Sequence, residues 1–392
     1  MAAEQSTYVV VGAGLAGAAT AWRLAEAGHD VTIVERGQPA DRGGSSHGSA
    51  RIFRYAYSSS FYADLVVRSR PLWSELEAVA GETLVTRCGC LDWGDQRDPA
   101  ALARNLDEVG VEHELLSAAA ASDRWAIDFG TPVLWHPDGG VIDAERSVGA
   151  MVNLARKHGA RLITGWDLRA VERTRSGYRL SNADGDGLDA ERVVICAGGF
   201  LPALLRNAGF DTRFVAAMPR LTVTQEQAFH FPYRDSGDAW PTFIHKADGI
   251  QTYSLPGGRD AGFRGQKLAE YAAGKKLASA YDQDRQIDPA NRERLISYVE
   301  KYLPGLTPEP YAETTCLFTT TPTEDFVLDR SGNLTVISPC SGHGAKFAPL
   351  IGILGAHLAA APTADAGRAA MPRQFLRGNR TGRTLPADGD AG

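Results

Sequence analysis

Three glycines near the N-terminus have the spacing of a phosphate-binding turn. Gly12, Gly14 and Gly17 form G-x-G-x-x-G directly after the apolar run at residues 8–11. The first glycine of this pattern permits a tight turn, the second lets backbone N–H groups approach a pyrophosphate, and the third lets a helix pack closely on the sheet. Glu35 follows Gly17 by 18 residues, at a predicted strand end suited to ribose hydroxyls. The pattern predicts a dinucleotide site, with a plain βαβ turn as the alternative.

The acid of this fingerprint indicates which dinucleotides fit. Glu35 is followed by Arg36, and a carboxylate at this position suits an unphosphorylated ribose, which favours FAD or NAD over NADP. The turn residues Leu15 and Ala16 are placed in the cofactor site with the glycines. The fingerprint alone does not choose between FAD and NAD.

Strand-like segments that must position this turn recur along the chain. Continuous apolar runs typical of buried parallel strands appear at 8–11, 31–34, 193–196 and 334–338. The recurrence predicts an α/β (α+β) protein whose Rossmann-like dinucleotide-binding domain is discontinuous. We expect this domain at 1–82, 142–215 and 320–376, a second, substrate domain at 83–141 and 216–319, and a flexible tail at 377–392.

Composition excludes several classes of protein. The 392 residues are 44% hydrophobic and carry a net charge of −6, which argues against a nucleic-acid binder because phosphate contacts need a basic surface. The longest apolar run is interrupted by glycines and is too short to span a membrane. Five cysteines, an odd number, indicate no disulfide framework and predict a reducing, cytoplasmic setting. Cys88 and Cys90 lack a second ligand pair at zinc spacing, so no metal is expected.

Three further motifs carry a family resemblance. Residues 44–57 (GSSHGSARIFRYAY), 315–329 (TCLFTTTPTEDFVLD) and 341–347 (SGHGAKF) resemble, in the same order, motifs of the monomeric sarcosine oxidase and N-methyltryptophan oxidase family. The resemblance implies a D-amino acid oxidase-like flavoprotein, related in fold to glutathione reductase, with a substrate domain built on a mainly antiparallel sheet. It also selects FAD.

The resemblance assigns roles to individual residues. It implies that Cys316 forms a thioether with FAD, that Arg54 and Lys346 clamp a substrate carboxylate, and that Arg51 lies against the flavin near His47. A guanidinium fork suits a carboxylate. If the segment 51–54 turns helically, the two arginines project from neighbouring faces. The remaining expected cofactor contacts are Ser45, Val171, Ala197, Gly198, Gly342 and Gly344.

The family has a lysine near the flavin that promotes its reaction with O2. The lysine of this chain that corresponds to it depends on an alignment with a short insertion. Lys267 matches the family's lysine if about three residues are inserted at 257–263, whereas an ungapped alignment places Arg264 there. Tyr271 then replaces a family histidine, and Phe318 replaces the tyrosine of sarcosine-oxidising members. Tyr253 is a further expected substrate contact. Loss of the tyrosine hydroxyl predicts a substrate bulkier or more hydrophobic than sarcosine.

The resemblance implies an oxidase of a secondary or N-methyl amino acid. Hydride equivalents pass to flavin N5, the imine product hydrolyses, and O2 reoxidises the flavin to give H2O2. Within the family, an oxidase of Amadori (fructosyl) amino acids or of a cyclic imino acid in a biosynthetic pathway is the alternative. A flavin dehydrogenase with a partner acceptor and a non-catalytic FAD-binding subunit are alternatives from other classes. The expected assembly is a monomer or a weak homo-oligomer, with no nucleic-acid or membrane partner.

Overall fold

The computed structural model describes residues 4–235 and 240–378, so residues 379–392 of the predicted tail lie outside the described residues. The strands of the described chain are β1 (Glu4–Val11), β2 (Val31–Val34), β3 (Arg51–Phe53), β4 (Val85–Arg87), β5 (Cys90–Trp93), β6 (Glu114–Leu116), β7 (Val133–His136), β8 (Gly140–Ile142), β9 (Arg161–Ile163), β10 (Leu168–Arg173), β11 (Tyr178–Asn182), β12 (Gly187–Ile195), β13 (Thr222–Phe231), β14 (Thr242–Ala247), β15 (Ile250–Pro256), β16 (Gln266–Glu270), β17 (Lys275–Leu277), β18 (Ala312–Thr320), β19 (Val327–Ser331) and β20 (Leu334–Ser338).

The α-helices of the same part of the chain are α1 (Leu15–Glu26), α2 (Ser60–Ala80), α3 (Pro99–Glu108), α4 (Ala118–Arg124), α5 (Ala144–Lys157), α6 (Leu201–Asn207), α7 (Thr212–Ala217), α8 (Pro289–Tyr302), α9 (Ala348–Ala360) and α10 (Ala364–Ala369). In residues 4–235 and 240–378, none of these helices is both long and apolar enough to cross a membrane.

A sheet with a parallel centre forms the first layer of the fold. Its order is β10-β11-β12-β1-β2-β9. Strand β20 pairs with β12 on the edge opposite β1, and β19 pairs with β20. The pairs β1–β12, β1–β2, β2–β9 and β12–β20 are parallel. Val9, Val10 and Val193 are fully buried because helices cover this sheet. The predicted Rossmann-like unit is confirmed.

Close backbone packing explains the first and third glycines of the fingerprint. Gly12 has φ +102°, and a Cβ there would lie 2.5 Å from the carbonyl oxygen of Cys196. A Cβ at Gly17 would lie 1.8 Å from the carbonyl oxygen of Gly12. Side chains at either position would therefore push α1 off the sheet or distort the turn.

A larger, mainly antiparallel sheet forms the second layer. Its order is β17-β13-β16-β15-β14-β5-β7-β6, β18 pairs with the other edge of β13, and β14–β5 is its parallel pair in the described chain. Helix α8 packs Leu295 and Val299 into the same core cluster as Phe229 and Phe243. Helix α8 begins at Pro289, and the side chain of Asp288 caps it by accepting from the N–H of Ala290.

A small third sheet, β3-β8-β4, joins segments from both predicted domains. Its strand β3 corrects one expectation, because residues 51–53 are extended rather than helical. Side chains alternate between faces along a strand, so Arg51 and Arg54 project in different directions instead of from neighbouring helical faces. The boundaries at 82 and 142 stay a prediction.

Candidate active site

One cleft runs along the carboxyl ends of the parallel strands and faces the antiparallel sheet. It encloses about 1800 Å³, open solvent at its mouth included. The residues that directly follow β1, β2, β12 and β20 line it, together with side chains of β3, β15, β16 and β18. Ligands of open α/β sheets bind at this edge. Predicted site residues on its wall are Gly12, Gly14, Leu15, Ala16, Glu35, Arg36, Ser45, Arg51, Ala197, Gly198, Tyr253, Lys267, Cys316, Phe318, Gly342, Gly344 and Lys346.

The start of α1 faces this cleft and receives no cap from its own N-cap residue. Gly14 occupies the N-cap position, and the first turn of α1 carries no acidic residue. The N–H of Leu15 donates to Oγ of Ser46 at 3.0 Å. Glu35 accepts hydrogen bonds from the backbone N–H of Ala13 at 2.7 Å and of Gly37 at 2.9 Å, which fixes the carboxylate beside the turn. An uncapped helix start next to an oriented carboxylate suits a pyrophosphate and a ribose.

Two buried polar atoms on the cleft wall lack hydrogen-bond partners within the described chain. They are Nε of Arg36 and Oγ1 of Thr319. The Arg36 guanidinium lies 4.4 Å from the centre of the Phe200 ring, which also lines the cleft. Buried polar groups normally have partners, so these atoms fit a large polar ligand such as FAD.

A second part of the cleft brings together residues that are far apart in sequence. Arg51, Lys267 and Cys316 all line it. Lys267 lies on β16 opposite His230 of β13, and its side chain is 7% exposed. Burial, followed by the nearby Arg51 charge, lowers the pKa of Lys267 to about 8, while Cys316 and Asp260 oppose the shift. Lys267 is therefore a buried cation at neutral pH that loses its proton as the pH rises through about 8.

Cys316 lies on β18 directly across from Glu226 of β13. Burial raises the pKa of the Cys316 thiol, and Arg51 and Lys267 act in the opposite direction. Cations near a cysteine stabilise the thiolate, which is the nucleophilic form. Arg51 and Lys267 therefore favour the thiolate of Cys316, but burial and the Glu226 carboxylate keep the pKa of this thiol above its usual value.

The alternative to Lys267 has a different environment. Arg264 is exposed, and its guanidinium lies 4.6 Å from the centre of the Tyr311 ring. Arg264 does not line the cleft, whereas Lys267 does. This placement favours the alignment with the inserted residues, and the role itself stays a prediction.

The two expected carboxylate-binding cations meet at one tyrosine. Nζ of Lys346 donates to the hydroxyl of Tyr57 at 2.9 Å and to the carbonyl oxygen of His343 at 3.0 Å. The Arg54 guanidinium lies 4.4 Å from the centre of the same Tyr57 ring and donates to the carbonyl of Ala56. Arg54 is 1% and Lys346 2% exposed. Burial, followed by the Arg54 charge, holds the pKa of Lys346 well below its usual value.

Aromatic side chains form the neighbouring wall. Phe318 lines the cleft, and its ring centre lies 6.0 Å from that of Tyr271. The Tyr271 hydroxyl donates to Oε1 of Glu324 at 2.7 Å and does not line the cleft. Burial raises the pKa of Tyr253 well above its usual value, so its hydroxyl keeps its proton. At this wall Phe318 therefore contributes an apolar ring, and Tyr253 contributes an uncharged hydroxyl.

Five expected site residues do not line the cleft: Gly17, His47, Arg54, Val171 and Tyr271. Gly17 packs behind the turn, and the His47 carbonyl accepts a hydrogen bond from Arg51 at 2.7 Å. Val171 corrects the expectation of a cofactor contact, because it lies in the core of the parallel sheet, whereas Trp166 and Asp167 line the cleft. These two follow β9, a half-buried three-residue strand that begins with Arg161 and is too short to give a clear sequence signal.

A buried polar cluster lies outside the cleft. Possible metal-binding atoms of Cys90, Asp92 and His136 lie within 4.8 Å of one another. Asp92 already accepts a hydrogen bond from Arg97 at 2.6 Å, and the positive charge of Arg54 acts on both Cys90 and His136. These cations disfavour a bound metal ion, and we propose no metal site there.

Comparison with known proteins identifies the family. The family described as FAD dependent oxidoreductase matches residues 7–358. The chain belongs to this family. It is an FAD-dependent oxidoreductase, and the uncapped helix start, Glu35 and the partnerless polar atoms are the features that would hold FAD.

Curated relatives confirm the resemblance found in the motifs. The chain is 27% identical to monomeric sarcosine oxidase of Bacillus sp. (strain NS-129), with 90% of this chain and 92% of the relative covered. It is also 27% identical to N-methyl-L-tryptophan oxidase of Yersinia pestis (strain Pestoides F), with 88% and 92% covered. Both relatives are named as oxidases of amino acids.

Solved structures confirm the fold. NikD, an amino acid oxidase essential for nikkomycin biosynthesis, superposes with a TM-score of 0.83 at 23% identity, over 95% of this chain and 98% of NikD. Glycine oxidase from Geobacillus kaustophilus superposes with a TM-score of 0.74 at 19% identity, over 97% of this chain and all of the other. The D-amino acid oxidase-like architecture predicted from the sequence is therefore confirmed.

Proposed function

We propose that this FAD-dependent oxidoreductase is an oxidase of a secondary or N-methyl amino acid, with O2 as acceptor and H2O2 as product. The observation that carries the proposal is the convergence of Arg51, Lys267 and Cys316 in the cleft that contains the dinucleotide turn. Buried Arg54 and Lys346, which meet at Tyr57, add the cations for a carboxylate. The relatives that are named as sarcosine and N-methyltryptophan oxidases support the same substrate class.

The chain's own residues provide binding and orientation. When bound, FAD would supply the redox chemistry, as the acceptor of electrons from the amine C–H bond and their donor to O2. Lys346, on the cleft wall, binds the substrate carboxylate and thereby fixes the position of the reacting carbon. Arg54 contacts the Tyr57 ring without lining the cleft, and it adds positive charge to the same site. Arg51 and Lys267 supply positive charge where negative charge develops. Phe318 and the aromatic wall exclude water from the apolar part of the substrate.

The proposal is tested by a peroxide screen. Purified protein in air is given a panel of secondary amino acids, which includes sarcosine, N-methylphenylalanine, pipecolate and a fructosyl amino acid. Stoichiometric H2O2 and imine-derived product support the oxidase. Turnover that needs an added electron acceptor and gives no H2O2 would instead support the dehydrogenase.

Covalent attachment of FAD at Cys316 is part of the proposal. For Cys316→Ser we expect the flavin to stay bound in the native protein and to be released by acid, whereas wild-type protein keeps its yellow colour after acid precipitation. Intact mass measures the same difference. Cys340→Ser is the matched control, because Cys340 also lines the cleft and should leave attachment unchanged. Acid-released flavin from wild-type protein contradicts the bond.

Phe318 predicts the size of the substrate. We expect kcat/KM for N-methylphenylalanine or a cyclic imino acid to exceed that for sarcosine by at least about tenfold, because an apolar ring contributes about 1.5–3 kcal/mol when it is buried. Phe318→Tyr should narrow this ratio by restoring a hydroxyl to the wall. Steady-state kinetics with matched substrates measure the ratio, and a preference for sarcosine refutes the prediction.

We propose a reducing, cytoplasmic location and a monomeric or weakly associated state. All five cysteines are free, which supports a reducing compartment. Sedimentation at several protein concentrations tests the state of assembly.

A further inference from the structure

Tyr57 is the shared neighbour of the two proposed carboxylate-binding cations. Its ring is fully buried, and its hydroxyl accepts a hydrogen bond from Nζ of Lys346 at 2.9 Å. The Arg54 guanidinium lies 4.4 Å from the centre of the ring. A tyrosine can attract one cation through its ring face and a second through its oxygen. It therefore holds two like charges near each other in a buried region.

His343 orients the hydroxyl of Tyr57. Nε2 of His343 lies 3.0 Å from the carbonyl oxygen of Glu324, and Nδ1 lies 3.1 Å from the Tyr57 hydroxyl. A carbonyl oxygen only accepts, so the neutral imidazole carries its proton on Nε2 and accepts at Nδ1. The Tyr57 O–H then donates to Nδ1 and presents its lone pairs to Lys346.

The far end of this hydrogen-bond chain is also fixed. Glu324 accepts from His343 through its carbonyl oxygen and from the Tyr271 hydroxyl through Oε1, at 2.7 Å. Tyr271 in turn packs near Phe318 of the cleft wall. His343 itself packs against Tyr62 and Phe326, with ring centres 5.0 and 4.7 Å away. The chain therefore links the cations to a rigid aromatic cluster.

We propose that Tyr57, oriented by His343, is a positioning residue that fixes Nζ of Lys346 for the substrate carboxylate. The inference rests on the proposed function and concerns the same site. An ammonium group has three N–H donors. Two are directed at the Tyr57 hydroxyl and the His343 carbonyl, and in the described chain Nζ has no further hydrogen-bond partner. Because Lys346 lines the cleft, the third donor is left for a ligand.

Tyr57→Phe tests the role because it removes the hydroxyl and keeps the ring near Arg54. We titrate FAD-loaded protein with benzoate and follow the flavin absorption, with benzamide as the uncharged probe. Benzoate binding should weaken by about tenfold, since one hydrogen bond to a charged group is lost, and benzamide binding should stay within twofold. Tyr62→Phe is the matched control. Tyr62 stacks on Tyr57, with ring centres 5.5 Å apart, but its hydroxyl donates to Asp325.

The pH dependence separates positioning from packing. The charged and titratable groups near Nζ of Lys346 are Arg54, Cys90, Tyr57 and His343. The hydroxyl favours the ammonium form, so its removal should move the alkaline loss of benzoate binding to lower pH. His343→Phe, which keeps an aromatic ring in the cluster, should shift it in the same direction. In steady-state kinetics, Tyr57→Phe should show a raised KM for the amino acid substrate, and its kcat should stay within about threefold of the wild-type value.

Three results overturn the inference, and they differ from one another. If wild-type protein binds benzoate and Tyr57→Phe leaves both its affinity and its pH profile unchanged, the positioning role is wrong and the carboxylate site stands. If wild-type protein binds benzoate no better than benzamide, the carboxylate site itself fails and the role of Tyr57 fails with it. Equal weakening by Tyr62→Phe assigns the effect to packing and also rejects the inference.

Discussion

Lys267→Met should slow the reaction of reduced flavin with O2 by about a hundredfold to a thousandfold, the usual cost of removing one preorganised charge or donor. The first electron transfer to O2 creates negative charge, and Lys267 is a buried cation on the cleft wall beside Arg51. Reduction of the flavin by substrate under anaerobic conditions should change by less than about tenfold. Stopped-flow absorption measures the two half-reactions separately.

The same lysine predicts a pH dependence of opposite sense to that of a carboxylate. The Lys267 ammonium is present below its pKa of about 8 and is lost above it. The rate at which O2 reoxidises the reduced wild-type enzyme should therefore fall as the pH rises through about 8. In Lys267→Met the reoxidation rate should not fall over this pH range. The groups that act on Lys267 are Arg51, Cys316 and Asp260, with His47 and His230 nearby.

Arg264→Met is the control for Lys267→Met. Arg264 is exposed and outside the cleft, and it is the residue that an ungapped alignment would choose. The reduced flavin of Arg264→Met should be reoxidised by O2 at the wild-type rate. Slow reoxidation in Arg264→Met with normal reoxidation in Lys267→Met would contradict the assignment.

Lys346→Met and Arg54→Met should each reduce kcat/KM for an amino acid by about a hundredfold or more. Removal of one partner of a buried charge pair costs about 2–5 kcal/mol, and both side chains are almost fully buried. A substrate with a carboxamide in place of the carboxylate completes a thermodynamic cycle of two enzymes and two substrates. This cycle isolates the interaction between the removed cation and the carboxylate. The variants should treat acid and amide alike, whereas wild-type enzyme should strongly prefer the acid.

The control for the carboxylate variants is Lys275→Met, since Lys275 is exposed and paired with Asp284. It should leave kcat/KM unchanged, and flavin content should match wild type in every preparation. A retained acid preference in both Lys346→Met and Arg54→Met would show that the carboxylate binds elsewhere.

Sequence reasoning predicted the local parts of the site well. The turn at Gly12 was readable because short-range sterics demand glycine there, and the strand at 334–338 was readable because both faces of a parallel strand are buried. Lys267, Cys316 and Lys346 were placed through motif order, and the structure brings all three to one cleft.

Features that depend on tertiary pairing were missed. Arg51 lies on a strand because it pairs with β8, about ninety residues away, and no local pattern shows this. Trp166 precedes β10 and lines the cleft, whereas Val171 lies within β10 and packs in the core. Strand ends of this kind are poorly defined by propensity. Tyr57 and His343 are separated by 286 positions, so their contact is not readable from sequence.

Anaerobic mixing of the FAD-loaded protein with N-methylphenylalanine, followed by air, tests the central claim most directly. The oxidase predicts that the flavin absorption bleaches without oxygen, that it returns within seconds in air, and that one equivalent of H2O2 forms per flavin. A flavin that no amine of the panel bleaches would contradict catalysis on amino acids. A bleached flavin that stays reduced in air would contradict the oxidase.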